Sequence, residues 1–164
     1  MLKSGKTGWR SPSNIALVKY WGKKRFQLPL NPSLSMTLSD CFTETVIEYS
    51  QKRTSGDPTF SFLFQGVKNP RFEKKIARFL NNAANEIPVL GSLHLNIGSK
   101  NTFPHSSGIA SSASSLSSLA LCLCHIDLQI SGIKMDEAGF FRKASYIARL
   151  GSGSACRSVY GGWV

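Results

Sequence analysis

Residues 101–113 read Asn-Thr-Phe-Pro-His-Ser-Ser-Gly-Ile-Ala-Ser-Ser-Ala, and nearly every residue close to the turn is small. Small residues let a polyanion approach the backbone. The segment joins a strand to a helix, and the first N–H groups of a helix have no internal partner. Those donors, with the helix dipole behind them, form an anion site. Neither Asp nor Glu stands near the helix start to compete with a phosphate, and Ser111 and Ser112 offer hydroxyls to phosphate or Mg²⁺. Because no Lys follows Gly108, this is not the G-x-x-x-x-G-K-[ST] loop. An ordinary loop, with Ser chosen for tight helix packing, fits the same composition.

Two other segments carry chemistry. Residues 11–23 run from Ser-Pro-Ser-Asn-Ile-Ala-Leu-Val into Lys19, Tyr20, Trp21, Gly22 and Lys23. That is a short apolar strand leading to two lysines around two aromatics, able to bind phosphates or simply to be solvated surface. Residues 148–162 contain Gly151-Ser152-Gly153-Ser154 followed by Arg157. Such a turn can hold an oxyanion through backbone N–H groups and a guanidinium fork. A helix-to-strand connection with a surface Arg is the alternative.

The elements that must position these groups show in the apolar spacing. Residues 41–49 are β-branched and aromatic, which predicts a strand. Phe60, Phe62 and Phe64 alternate in a second, expected to be its hairpin partner across the Ser-Gly-Asp-Pro turn at 55–58. Phe72, Ile76, Phe79, Leu80 and Ala83 follow helical spacing over about 71–85. Leu93, Leu95 and Ile97 alternate in a third strand. The stretch from Ser106 to Ser118 has the composition of a linker, yet Ile109, Ala113, Leu116, Ala120 and Leu123 trace one apolar helix face. Ser is a poor helix former, so packing must hold that helix. A further helix starts with Asp136 as N-cap and stops at Gly151. A last strand is expected to begin at Val159 and to be cut at Val164. The fold class is α+β, one domain over residues 1–164, with sheet early and helices packed on it.

Bulk properties narrow the partners. The 164 residues are 41% hydrophobic and include 10 Phe, too many large apolar groups for a disordered chain. No uncharged apolar run approaches a membrane span. Residues 1–9 are short, basic and polar, unlike a secretory signal, which favours the cytoplasm. Cys122 and Cys124 are spaced C-x-C and read as small buried hydrophobes, not zinc ligands. The +11 charge suits nucleic acid, phosphorylated small molecules or a solvated surface. The Lys/Arg residues are scattered without interleaved aromatics, so nucleic acid is the weaker reading.

The pattern P-x-x-x-G-[IL]-[AG]-S-S-[AS] at 104–113 resembles the phosphate loop of the GHMP kinase superfamily. The string at 11–23, continued by Asn31-Pro32-Ser33-Leu34-Ser35, and the Gly-Ser-Gly-Ser-Ala-Cys-Arg-Ser segment at 151–158 resemble the mevalonate diphosphate decarboxylases. The three occur in family order. His105, Ser106, Ser107 and Ser115 depart from the commoner, smaller residues.

The resemblance implies a GHMP N-terminal domain, similar to ribosomal protein S5 domain 2, with the C-terminal domain absent. It implies ATP- and Mg²⁺-dependent decarboxylation of mevalonate 5-diphosphate, without nucleic acid or membrane, and a homodimer when full length. Residue by residue, Arg157 would pair the substrate carboxylate with Ser154 beside it. Tyr20, Trp21, Lys23 and Ser152 would hold the 5-diphosphate, and Lys19 would sit near the reacting groups. Asn101, Pro104, Gly108, Ala110, Ser111 and Ser112 would hold ATP, with Ser111 on the metal. The family's catalytic Asp lies downstream of 164, so the chain as given is expected not to decarboxylate. A mevalonate 3-kinase, a phosphomevalonate kinase, a noncatalytic remnant and a basic S5-like nucleic-acid module remain as rivals.

Overall fold

The computed structural model describes residues 4–105 and 108–164, with Phe26 described in its backbone only. Met1, Leu2, Lys3, Ser106 and Ser107 lie outside the described residues, and so does what the sequence suggested for them. Four strands, β1 (Ser4–Val18), β2 (Leu34–Gln51), β3 (Thr59–Phe64) and β4 (Leu93–Asn101), form one mixed sheet in the order β1-β2-β4-β3. Three α-helices accompany it: α1 (Pro70–Ala84), α2 (Ser111–Ser131) and α3 (Glu137–Gly151). This is the expected α+β class.

β2 alternates as a half-buried strand should: Thr43, Thr45, Ile47 and Tyr49 point to the core. Glu44 and Glu48 lie on the opposite face, paired with Arg10, Lys100 and Lys6 from the neighbouring strands. Leu93, Leu95 and Ile97 of β4 are buried on the core side.

Two expectations need correction. The Phe60–Phe64 strand is not the hairpin partner of β2; β3 pairs with β4 in parallel, and β4 lies between them. Parallel neighbours need a crossover element, and α1 supplies it. The chain from Ala155 to Val159 forms a 3-10 turn, and no strand follows. Instead Val164 exchanges backbone hydrogen bonds with Ser35, and Trp163 forms a single bridge with Met36. Finally, the serines of α2 that lie off the apolar face at 109–123 are in part core residues. Ser114, Ser117 and Ser118 are buried.

That burial explains how α2 is placed. Thr43 and Ser114 hydroxyls meet at 2.7 Å, and Thr45 and Ser118 also at 2.7 Å. Small hydroxyl side chains let the helix lie close on β2, and paired buried polar groups fix its register there. Ile109 precedes α2, whereas Ala113, Ala120 and Leu123 enter the core as spaced. By length and composition α2 could cross a membrane, which the Ser-rich sequence had hidden, but 67% of the qualifying stretch is buried inside the fold.

Candidate functional site

The start of α2 is set by two left-handed residues, Gly108 (φ 83°) and Ala110 (φ 55°). For Ala this conformation costs roughly 1–2 kcal/mol. No side chain caps this helix and no acidic residue occupies its first turn. Ser13 of β1 donates to the Ile109 carbonyl, tying the loop to the first strand. Gly108 and Pro104 are exposed, Ala110 is half-buried, and Asn101 accepts from Thr43 at 2.9 Å while its amide nitrogen is buried without a partner.

One residue further along β1, Asn14 donates to Ser158 Oγ at 2.6 Å and reaches the Ser154 carbonyl at 3.4 Å. Ser11 donates to the Ser158 carbonyl. β1 therefore clamps the α2 loop and the Gly-Ser-Gly-Ser segment side by side. Ser152 and Ser154 hydroxyls lie 3.3 Å apart.

Arg157 is the one buried Lys or Arg among the described residues. Its residue is 7% exposed, and Nη1 donates to Ser33 Oγ at 2.6 Å. Its Cζ sits 5.7 Å from the centre of the Tyr20 ring, whose other approach is by Lys23 Nζ at 5.6 Å. Among the described residues it has no carboxylate partner, and its Nε is buried without an acceptor. Gly153 makes room for this stack: a Cβ there would meet Tyr20 Oη at 2.7 Å.

Two cavities meet at Ser112 and Leu116. The first, of about 70 Å³, is apolar, with Phe62, Phe64, Phe72 and Ile97 in its wall beside Ser111. The second, of about 510 Å³, is lined by both polar and apolar side chains and joins Ser112 to Ser152. The α2 loop and the Gly-Ser-Gly-Ser segment thus open on one cleft. Lys19 and Trp21 are not drawn in by their side chains. Both are exposed, Trp21 at 76%, and Asn31 holds their backbone by bonding the Lys19 carbonyl and the Trp21 N–H.

Asn14, Asn31 and Ser33 are the supports that residue types alone did not single out. Their signal was their place within the quoted strings. Three thiols are held in the unreactive protonated form: burial pushes Cys122 and Cys124 each up to about 12, and raises Cys156 despite Arg157 beside it. His94 and His125 are bound into neighbouring strand side chains, and His105 packs on Phe72.

Residues 11–164 match the diphosphomevalonate decarboxylase-like N-terminal domain. The chain belongs to that family. It is 37% identical to the diphosphomevalonate decarboxylase of Gibberella zeae over 94% of this chain and 41% of the relative. To the human enzyme it is 36% identical, over 94% and 39%. The mevalonate diphosphate decarboxylase of Staphylococcus aureus superposes with a TM-score of 0.78 at 33% identity, covering 99% of this chain and 45% of that one. A solved complex of MDDEF with MVAPP, AMPPCP and magnesium superposes at 0.75 with 35% identity, over 99% and 46%. The chain spans about 40% of the length of these curated relatives.

Proposed function

We propose that this domain holds mevalonate 5-diphosphate and ATP for decarboxylation to isopentenyl diphosphate, ADP, phosphate and CO₂. The observation that carries the reading is Arg157. A buried guanidinium without a counter-ion is costly, so such a group is kept where an anion arrives to pair with it. The matched relatives are decarboxylases, not the sister kinases weighed from the sequence.

ATP supplies the phosphoryl group that turns a tertiary hydroxyl into a leaving group, and Mg²⁺ offsets the charge of its phosphates. The chain's own residues bind and orient. The first-turn N–H groups of α2, with Ser111 and Ser112, face the phosphates, and the nearby aromatic cavity fits the base. Among the described residues no group of three His, Cys, Asp or Glu could hold a metal. Ser111 would offer its hydroxyl to Mg²⁺, which would offset the charge of the phosphates. Tyr20, Lys23 and Ser152 border the 5-diphosphate, with the exposed Trp21 at its rim, and Lys19 closes over the reacting groups from the β1 end. Arg157 fixes the carboxylate through its free Nε edge, with Ser154 beside it, so that CO₂ departs as positive charge builds on the tertiary carbon. Catalysis of this kind is mostly positioning and electrostatics.

Calorimetry with two ligands tests the carboxylate role. Mevalonate 5-diphosphate should bind at least about tenfold tighter than isopentenyl diphosphate, which lacks the carboxylate, since a buried charge pair is worth roughly 2–5 kcal/mol. Arg157→Lys keeps charge but loses the fork, and should erase that preference. Equal binding of both ligands by the unaltered chain would remove the role. The reaction is tested by joining this chain to the remaining portion of the Staphylococcus aureus enzyme and measuring CO₂. A folded fusion that binds both substrates and releases none would overturn the proposal.

A further inference from the structure

α1 buries Ile76, Phe79, Leu80 and Ala83. Its polar stripe is exposed and borders a cavity. Lys75, Arg78, Asn82 and Asn85, spaced three or four apart and so on one helix face, line the 510 Å³ cavity opposite Ser112 and Ser152. The acidic residue in that wall, Glu86, accepts from the Tyr146 hydroxyl at 3.1 Å. Among the described residues, Arg78 has no ion pair, side-chain hydrogen bond or ring partner. Lys6, Arg10 and Lys100, by contrast, are paired with glutamates.

Lys75, Ser112 and Leu116 border both cavities. A nucleotide whose base enters the aromatic cavity must therefore lead its phosphates past Ser112 into the larger one. Arg78 stands on the far wall of that space, about one helical turn beyond Lys75.

We propose that Arg78 is a polyphosphate-binding residue, contacting the terminal phosphates across the cleft from the start of α2. This rests on the nucleotide reading given above. A planar, permanently charged fork suits a phosphate oxygen pair better than a surface Lys would.

The test is binding of ATP, AMP and adenosine to the 164-residue chain, by displacement of a fluorescent ATP analogue at about 0.1 M salt. Arg78→Ala should weaken ATP by about fivefold, the scale of one partly exposed charge pair, and leave adenosine unchanged. Arg78→Glu should weaken it further. Lys134→Ala, beyond the opposite end of the 21-residue α2 and so roughly 30 Å away, removes the same charge and should have no effect. An equal loss for ATP and adenosine would mean a structural role and would overturn the inference, as would an Arg78→Ala chain binding ATP like the parent. A parent chain that binds no ATP would instead overturn the nucleotide site itself.

Discussion

Two of the three α-helices complete their own starts and one does not. Asn69 accepts the N–H groups of Arg71 and Phe72 at the head of α1, with Glu73 in the first turn. Asp136 accepts Gly139 N–H at the head of α3, with Glu137 beside it. At the head of α2 stands a left-handed Ala110 without a side-chain cap or an acidic neighbour. The same contrast runs through the charges. On the outer face of the sheet each glutamate of β2 is matched by cations, while the buried Arg157 and the cavity-lining Arg78 have no carboxylate among the described residues. α2 can leave its end open because the Thr43–Ser114 and Thr45–Ser118 pairs hold it from the side.

The strongest way to break this contrast is to give α2 what the others have. Ser112→Asp puts a carboxylate in the first turn at an exposed position. Facing the phosphates, a like charge costs several kcal/mol, so ATP affinity should fall by at least about a hundredfold. Melting temperature should hold or rise slightly, because the new charge complements the dipole. A variant that melts normally and still binds ATP would show that the phosphates do not lie over this helix end.

Much of this was legible in the sequence, for reasons that the structure makes plain. α1 and α3 show because one apolar face repeats at helical spacing between polar residues, and Asp136 caps where its type predicts. The loop and both flanking strings show because function restricts them to small or charged types. What was hidden depends on partners distant in the chain. The first half of β1 carries almost no apolar residue, and is a strand through pairing with β2. β3 was misplaced because a turn signal says where the chain bends, not which strand inserts between. Which serines of α2 are buried could not be read, because Ser is solvated or buried according to whether a hydroxyl waits opposite. That the exposed Arg78 borders a cavity could not be read, because Ser112, Gly151 and Ser152, distant in the chain, complete the lining.

The capped helices supply the converse experiment. Asp136→Ala removes the side chain that accepts Gly139 N–H at 2.9 Å. The expected loss is about 1 kcal/mol of stability, read by urea unfolding. Affinity for ATP should not change, since α3 spends its N-terminus on itself. A loss of nucleotide binding in a folded Asp136→Ala chain would mean that the helix starts are coupled and that the contrast between them is not functional.

The smallest effect belongs to the matched charges of the outer sheet face. Hydrogen bonds from Arg10 and then Lys100 hold the Glu44 carboxyl below its ordinary value of 4.5. A group with a lowered folded pKa adds stability above its unfolded value, and that contribution disappears as pH falls through the folded value. Glu44→Gln should therefore cost something at pH 7 and nothing at about pH 3, where the parent chain has lost the same term. The side chain is only 21% exposed, but Arg10 and Lys100 are 68% and 66% exposed, so solvent screens the pairs. The cost at neutral pH should stay under about 1 kcal/mol and shrink with added salt. ATP affinity should be unchanged, because this glutamate faces away from the cleft. A cost that persisted at pH 3 would trace to packing and not to charge. A change in ATP affinity would mean that the far face tunes the cleft, and that the two sets of charges are not independent.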